Sequence, residues 1–271
     1  MTTIPLVLDQ DTEPGPLPNY EDVMKTKKNE FNARGTRSRR FLDIEFGKDA
    51  LFAGSVALAN ISIRLGFLRK VFGILSFQLL ATAVICTTFY LVPNVRIFLQ
   101  EHPGLVLGSL FMSFILLFAL YMNSHNVPIN YLLLTSWTMT QAFAVAFLVS
   151  FYDVEVVIEA VGLTAVVVIS LFIYTLQSKR DFQKYYATLY SFLLVFILAS
   201  LVQIFVQSPI FNFMMAVVGA GIFSAYLVID VDRIMHHSSP EDYIDACVSL
   251  YLDIINLFLR ILQIINELNR N

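Results

Sequence analysis

Charged side chains are scarce in this 271-residue chain, and they are unevenly placed. Only 14% of the residues are Asp, Glu, Lys or Arg, against roughly 25% in an average globular protein. Eleven of the 18 Lys and Arg precede Val71, so the remaining 201 residues (271 minus 70) carry only seven basic and twelve acidic side chains. A soluble fold of this length needs more charge to cover its surface. The composition, which is 57% hydrophobic, therefore predicts an integral membrane protein.

Cysteine is also rare, since only Cys86 and Cys247 occur. Two cysteines in apolar or amphipathic stretches exclude a disulfide scaffold, and we expect two buried, reduced thiols. The sequence lacks a Walker-type loop, zinc-ligand spacing and a nucleophile with a placed base, so we expect no enzyme and no cofactor. It also lacks a basic folded module, which argues against a nucleic-acid partner.

Long charge-free stretches predict the membrane spans. Three stretches contain no charged residue, and two of them exceed the length of one span. The segments 123–128 and 207–209 carry the turn residues that divide these two. Lipid leaves no partner for an irregular backbone, so every span should be a helix. With a seventh helix described next, the predicted spans lie near 71–92, 104–122, 130–151, 156–176, 185–206, 210–231 and 243–267.

The seventh predicted span is amphipathic. Ser239 is a favourable helix cap, and Pro240 suits the first helical position. Polar residues then recur in steps of three or four, within an arc of roughly 80°. A helix lying flat at the membrane surface is the alternative, but the stripe is narrow, is not basic and holds an acid at its middle. We therefore predict an all-α polytopic membrane protein in which the other six helices enclose helix seven. Its polar seam, facing a protein interior or a water-filled cavity, comprises Asp245, Ser249, Asp253, Asn256, Arg260, Gln263 and Glu267.

The distribution of Lys and Arg predicts the orientation, because cytosolic connections carry the excess of basic residues. A cytosolic N-terminus places eleven basic residues of the first segment and four of the later connections in the cytosol. The opposite side receives only Arg96 and Arg270. Seven spans then leave the C-terminus in the lumen.

Residues 1–62 are predicted to be a largely disordered cytosolic tail, since they combine prolines, scattered charges and few aromatics. The basic segment Arg34–Arg40 would lie near anionic membrane lipids. Leu17–Tyr20 reads Leu-Pro-Asn-Tyr, which resembles a ligand of WW domains, whose grooves take extended proline segments.

Five segments together resemble the transmembrane Bax inhibitor motif family, and within it the lifeguard branch. The resemblance covers about residues 60–268, and the last of the five segments is highly specific. The segments are Ile63–Phe72, Phe151–Val154, Tyr174–Lys179, Ser238–Tyr243 and Ser249–Phe258.

The resemblance implies a seven-helix protein of Golgi and endoplasmic reticulum membranes. Members of the family restrain cell death by letting Ca²⁺ leak from the store, and a pair of aspartates senses pH. Asp230 and Asp253 match that pair in this chain. Ca²⁺ and H⁺ are then the expected ions, and cell-death or calcium-channel proteins are the expected partners besides lipid.

The chemistry of two membrane carboxyl groups favours the same two residues. A carboxylate in a spanning helix costs at least ~2.5–3.5 kcal/mol, so one is kept mainly for ion or proton handling. Two carboxyl groups that share a site of low dielectric constant do not both ionise easily and exchange protons as a unit. Protonated, Asp230 and Asp253 would clasp helices six and seven; ionised, they would repel each other and offer hard oxygen ligands to Ca²⁺. A pair that pins two helices and conducts nothing is the alternative.

The predicted depths of the acids in the membrane do not decide which of them is the partner of Asp230. If helices six and seven turn near Ser238, Asp230 lies about eight residues from the turn and Asp253 about 15, an offset of roughly 10 Å. Asp245 is nearer to Asp230 in depth. The family resemblance, rather than the spacing, favours Asp253.

The remaining candidate residues have open alternatives. Arg260 either neutralises Asp253, repels cations or is a structural counter-ion. Glu155 and Glu159 either concentrate Ca²⁺ at a mouth or cap a solvated helix start. Gln141 stands in mid-span where relatives often carry Glu, so a mechanism that needs a third acid is in doubt. Three functions fit: a pH-sensitive Ca²⁺ leak channel, a Ca²⁺/H⁺ exchanger or a non-conducting regulator.

Overall fold

The computed structural model describes residues 61–178, 180–206 and 208–269, which form eight α-helices and a short 3₁₀ helix, Gln183–Tyr185. The predicted tail, 1–62, lies outside the described residues except for its last two, and Leu17–Tyr20 lies outside them entirely. The helices are α1 Ile61–Leu91, α2 Pro93–Glu101, α3 Gly104–Met122, α4 Ile129–Val149, α5 Val154–Gln177, α6 Tyr186–Phe205, α7 Pro209–His236 and α8 Tyr243–Asn269.

Seven of these helices are long and apolar enough to span a membrane, so the prediction of an all-α polytopic membrane protein is confirmed. The eighth, α2, was not predicted. It begins at Pro93, in the position that proline favours, and nine residues are too few to span. Two of its side chains hold it to the end of α4, since Arg96 Nε and Gln100 Nε2 both donate to the Ser150 carbonyl oxygen, at 2.8 and 3.0 Å.

Helix α1 begins at Ile61, ten residues before the predicted start of the first span. Its first turns are helical because one face is apolar: Phe67, Val71 and Leu75 recur every four residues and are buried. The charged side chains of Arg69 and Lys70 lie on the exposed side. A charge-free stretch therefore underestimates a helix whose polar face extends beyond the lipid.

The spans alternate in direction, so the connections gather at two ends of the bundle. We call the end with the connections 123–128, 178–185 and 237–242 the His236 end. The end with 92–103, 150–153 and 206–208 is the Arg96 end.

Helix α8 lies at the centre, which confirms the prediction that the other helices enclose it. It packs against α1, α5 and α7, and α4 reaches it through the fully buried Trp137, whose ring lies edge-on to Tyr251 at 5.4 Å between centroids. Cys247 of α8 is buried and Cys86 of α1 is half-buried, and both are free thiols.

The start of α8 differs from the predicted cap. The helix begins at Tyr243 rather than just after Ser239, because residues 240–242 form a turn. The Asp242 carboxylate accepts a hydrogen bond from the Ser239 amide at 3.1 Å, so the acid, and not the serine side chain, organises this start.

Candidate functional site

Asp230 of α7 and Asp253 of α8 meet inside the bundle. Their side chains are within hydrogen-bonding contact of each other. Asp230 is only 6% exposed and Asp253 only 7%. They lie on the two helices that share the most extensive packing in the described residues. We call these two residues the acid pair.

The connection between α7 and α8 makes the difference in depth between the two acids smaller than predicted. Asp230 lies six residues before the end of α7, and Asp253 lies ten residues after the start of α8. The offset is therefore four residues, or about 6 Å, rather than roughly 10 Å. The hairpin is centred near residue 240, and not near Ser238 as the depth argument assumed.

Asp245 is not the partner of Asp230. It is half-buried, and the charged groups near it are Arg233, Asp242 and His125. Its side chain lines a cleft of about 510 Å³ together with Val248 and five apolar or aromatic residues of α3: Phe114, Leu117, Phe118, Leu120 and Tyr121. The open choice between Asp253 and Asp245 is thus resolved in favour of Asp253.

One basic and one aromatic side chain of α7 accompany the acid pair. The Arg233 guanidinium interacts electrostatically with Asp230, Asp245 and Asp253. The Tyr226 phenol interacts electrostatically with both members of the pair, and it lies one helical turn before Asp230. The pair is therefore flanked by a positive charge toward the His236 end and by a buried phenol on the other side.

Apart from the contact between the two carboxyl groups, Oδ2 of Asp253 has no hydrogen-bond partner among the described residues, and neither does the hydroxyl of Tyr226. Both are covered by protein. A free carboxylate oxygen beside a second carboxyl group is a suitable ligand for a hard cation. No cluster of three His, Cys, Asp or Glu side chains occurs in the described ranges, so backbone or water oxygens would have to complete a Ca²⁺ shell.

Toward the Arg96 end, the seam of α8 carries Arg260. Its Nη1 donates to Gln263 Oε1 at 2.9 Å, and its guanidinium carbon lies 5.0 Å from the ring centroid of Phe196 on α6. Gly219 of α7 makes this approach possible: a Cβ there would lie 3.0 Å from Arg260 Cδ and 2.8 Å from Phe196 Cζ. Arg260 is thus held seven residues, or about 10 Å, from Asp253.

Other predicted seam residues are half-buried. Asn256 donates to the Leu252 carbonyl oxygen of its own helix at 2.8 Å, and Ser249 is half-buried. Gln141 donates to Ser113 Oγ at 2.8 Å, which links α4 to α3. Gln141 therefore lies between these two helices and not in the seam of α8.

Two acids flank the start of α5 at the Arg96 end. Glu155 and Glu159 are exposed, which fits both a mouth that concentrates Ca²⁺ and a solvated helix start. Tyr152 lies in the preceding connection and is half-buried. Burial raises the pKa of its phenol, the negative charge of Glu267 raises it further, and the positive charge of Arg260 lowers it.

Asp232 is a buried acid that the sequence reasoning missed. It is only 2% exposed, and it accepts hydrogen bonds from the Phe182 amide at 3.1 Å and from Nδ1 of His236 at 3.0 Å. Its carboxylate holds the connection 178–185 against the end of α7. Asp232 lies two residues after Asp230 on a different face of the helix, and its spacing of four residues to His236 is the sequence signal that points to it.

Comparisons with known proteins agree with the motif resemblance. The sequence model of a family described as inhibitor of apoptosis-promoting Bax1 matches residues 64–271. The Golgi anti-apoptotic protein of Vaccinia virus (strain Lister) is 42% identical over 222 residues, which is 82% of this chain and 94% of the viral protein. Protein lifeguard 4 of Mus musculus is 40% identical over 222 residues, covering 82% and 93% of the two chains. Bax inhibitor 1 of Schizosaccharomyces pombe is 38% identical over 211 residues, covering 78% and 79%.

Proposed function

Since the chain belongs to the family of inhibitors of apoptosis-promoting Bax1, we propose that it restrains cell death as a pH-sensitive Ca²⁺ leak channel of Golgi or endoplasmic reticulum membranes. The proposed activity is passive ion movement and involves no catalysis. The observation that carries it is the contact of Asp230 with Asp253 inside a seven-span bundle. The similarity to a Golgi anti-apoptotic protein supports the organelle.

We attribute the closed state of the proposed channel to one proton that the carboxyl groups of Asp230 and Asp253 share. With a proton between them, the two carboxyl groups form a hydrogen bond that joins α7 to α8. Two carboxylates without that proton would repel each other: unit charges about 4 Å apart at an effective dielectric constant of about 20 repel by about 4 kcal/mol. Loss of the proton therefore weakens the α7–α8 contact and leaves hard oxygen ligands for Ca²⁺.

The orientation proposed from the basic residues places the His236 end in the cytosol and the Arg96 end in the lumen. Ca²⁺ leaving the store would then enter near Arg260 and pass the acid pair before reaching Arg233. Both arginines repel cations, which is consistent with a slow leak rather than a fast channel.

The test is Ca²⁺ efflux from liposomes that contain the purified full chain, followed across pH. We expect efflux to rise as the pair loses its proton, and we expect Asp230→Asn and Asp253→Asn each to abolish most of this pH dependence. Asp245→Asn is the matched control, since it removes an acid of α8 outside the pair. Flux and pH profile unchanged in both pair variants would refute the proposal.

A Ca²⁺/H⁺ exchanger is the second candidate, because proton and cation would compete for the same oxygens of the acid pair. Exchange demands that Ca²⁺ movement be coupled to a counter-flow of protons. An imposed proton gradient, at constant pH on the side that protonates the pair, should drive Ca²⁺ uphill only in an exchanger. Liposomes that pass no Ca²⁺ under any condition would instead favour a non-conducting regulator.

A further inference from the structure

Asp245 lines a cleft that the proposed function does not use. The cleft has a volume of about 510 Å³, within the range of small-molecule sites, and it lies between α3 and the start of α8. Of its seven lining residues, six are apolar or aromatic, and Asp245 is the only charged one. A half-buried carboxylate in such a wall favours a cation or a hydrogen-bond donor as its partner.

The described residues do not supply that partner. Among them, Asp245 makes no ion pair and accepts no hydrogen bond. Arg233 and His125 act on it only through their charge, and the like charge of Asp242 opposes them. The oxygens of the Asp245 carboxylate are therefore available to a donor from outside the chain.

The cleft has a polar end and an apolar end. Asp245 is the third residue of α8 and Tyr121 is the second-last residue of α3, so both lie at the His236 end of the bundle. Phe114 lies seven residues, or about 10 Å, deeper along α3.

The α3 wall of the cleft is open to the membrane. Phe114, Phe118 and Tyr121 recur at helical spacing on one stripe of this span, and their side chains are 67–72% exposed. A molecule can therefore enter from the bilayer, with its polar group at the His236 end and its chain directed into the membrane.

We propose that this cleft binds a single-chain lipid amine, the chemistry of a sphingoid base. Its ammonium group binds the Asp245 carboxylate, and its hydrocarbon chain lies along the aromatic stripe of α3. The charge of Asp245 selects a cationic head group, and aromatic rings beside an ammonium group add a further attraction. A single stripe on α3 offers a surface for one chain. Neither Asp230 nor Asp253 belongs to this site, so it does not rest on the proposed function.

The test is photolabelling of the purified full chain in nanodiscs of phosphatidylcholine, a lipid without a primary amine. The probe is octadecylamine with a diazirine at the middle of its chain, and we expect cross-links within 114–121 of α3 and near Val248 of α8. Unlabelled octadecylamine should compete with the probe. Octadecanol, which has the same chain and no charge, should compete about tenfold less well, the difference that a hydrogen bond to a charged group corresponds to.

Three variants test the role of the carboxylate. Asp245→Asn removes the charge at nearly constant size and should weaken competition by octadecylamine about tenfold. Asp245→Glu restores the charge and should keep most of the affinity. Asp181→Asn is the matched control: it makes the same change in the connection 178–185, at the same end of the bundle and outside the cleft, and should leave the labelling unchanged. The comparison of octadecylamine with octadecanol needs no variant, so it decides the question even if Asp245→Asn fails to fold.

Four results would overturn the inference. Equal competition by octadecanol would show an apolar groove that does not recognise an amine, and full affinity in Asp245→Asn would remove the role of the carboxylate. Equal competition by dioleoylphosphatidylethanolamine would assign the cleft to a two-chain lipid, and cross-links outside the cleft would place the amine elsewhere. The liposomes of the Ca²⁺ efflux test contain no long-chain amine, so Asp245→Asn remains a control there and the two proposals fail separately.

Discussion

The polar side chains on the two sides of α8 make different kinds of contact. On the side of α1 and α4, neutral groups pair across helices: the Tyr251 hydroxyl lies 2.8 Å from Thr82 Oγ1, and Gln78 Nε2 donates to Thr138 Oγ1 at 2.9 Å. On the side of α6 and α7, the polar groups are the acid pair and an arginine against an aromatic ring.

The two sides of α8 therefore differ in role: the α1–α4 side supports the fold, and the α6–α7 side carries the proposed function. Neutral hydrogen bonds keep their geometry at any physiological pH, so the α1–α4 side forms a fixed wall. In the proposed function the contact of the acid pair on the α6–α7 side depends on protonation, and α7 approaches Arg260 and Phe196 closely at Gly219. Helix α6 packs mainly against α7, which leaves it the freest of the spans to follow a movement of α7.

We expect the largest loss of stability from a substitution on the α1–α4 side. Trp137→Ala removes a fully buried indole that packs on Tyr251, and it should lower the free energy of unfolding by about 3–5 kcal/mol. The measurement is chemical or thermal unfolding in detergent. Leu132→Ala, on the same helix but 66% exposed, is the control and should change stability little. A fully stable Trp137→Ala would contradict the supporting role of this side.

An intermediate effect is expected where α7 meets Arg260. Gly219→Ala places a methyl group 2.8 Å from Phe196 Cζ, so the rings and the arginine must shift, at a cost of about 1–3 kcal/mol in stability. Gly221→Ala meets nothing within 4 Å and should gain about 0.5–1 kcal/mol from its better helix propensity. Parallel unfolding curves settle the comparison, and equal effects of the two alanines would remove the case for a close approach at Gly219.

The smallest expected loss of stability comes from removing one hydroxyl group on the α1–α4 side. Tyr251→Phe loses the hydroxyl contact with Thr82, and a hydrogen bond between membrane helices is worth about 0.6 kcal/mol on average. We expect a barely measurable loss of stability and no change in the pH profile of Ca²⁺ efflux. Asp253→Asn, on the other side of α8, should remove most of that pH dependence. Identical pH profiles for the two variants would contradict the difference between the two sides.

Much of the fold could be predicted because lipid imposes strong rules on a sequence. Three charge-free stretches indicated five spans, the apolar segment 156–176 with Glu159 near its start indicated a sixth, and a narrow polar seam indicated an enclosed seventh. The missed parts lie where those rules end: α2 is short and contains Arg96 and Glu101, and the first turns of α1 carry Arg64, Arg69 and Lys70. In both cases charged side chains lie on helices that extend beyond the apolar region.

The site could be predicted only in part. The residues alone left Asp245 and Asp253 level, and the choice came from the family resemblance. Asp232 was missed because the sequence shows only its spacing of four residues to His236, while its other partner is a backbone amide 50 positions away.

The hydrogen bond from the Phe182 amide to the Asp232 carboxylate is a place where a movement of α7 can be measured. Asp232 sits two residues from Asp230, so any rotation of the end of α7 that parts the acid pair also pulls on this bond. Deuterium uptake at the single backbone position 182, which lies at the exterior of the bundle, would then read out a movement that takes place in its interior.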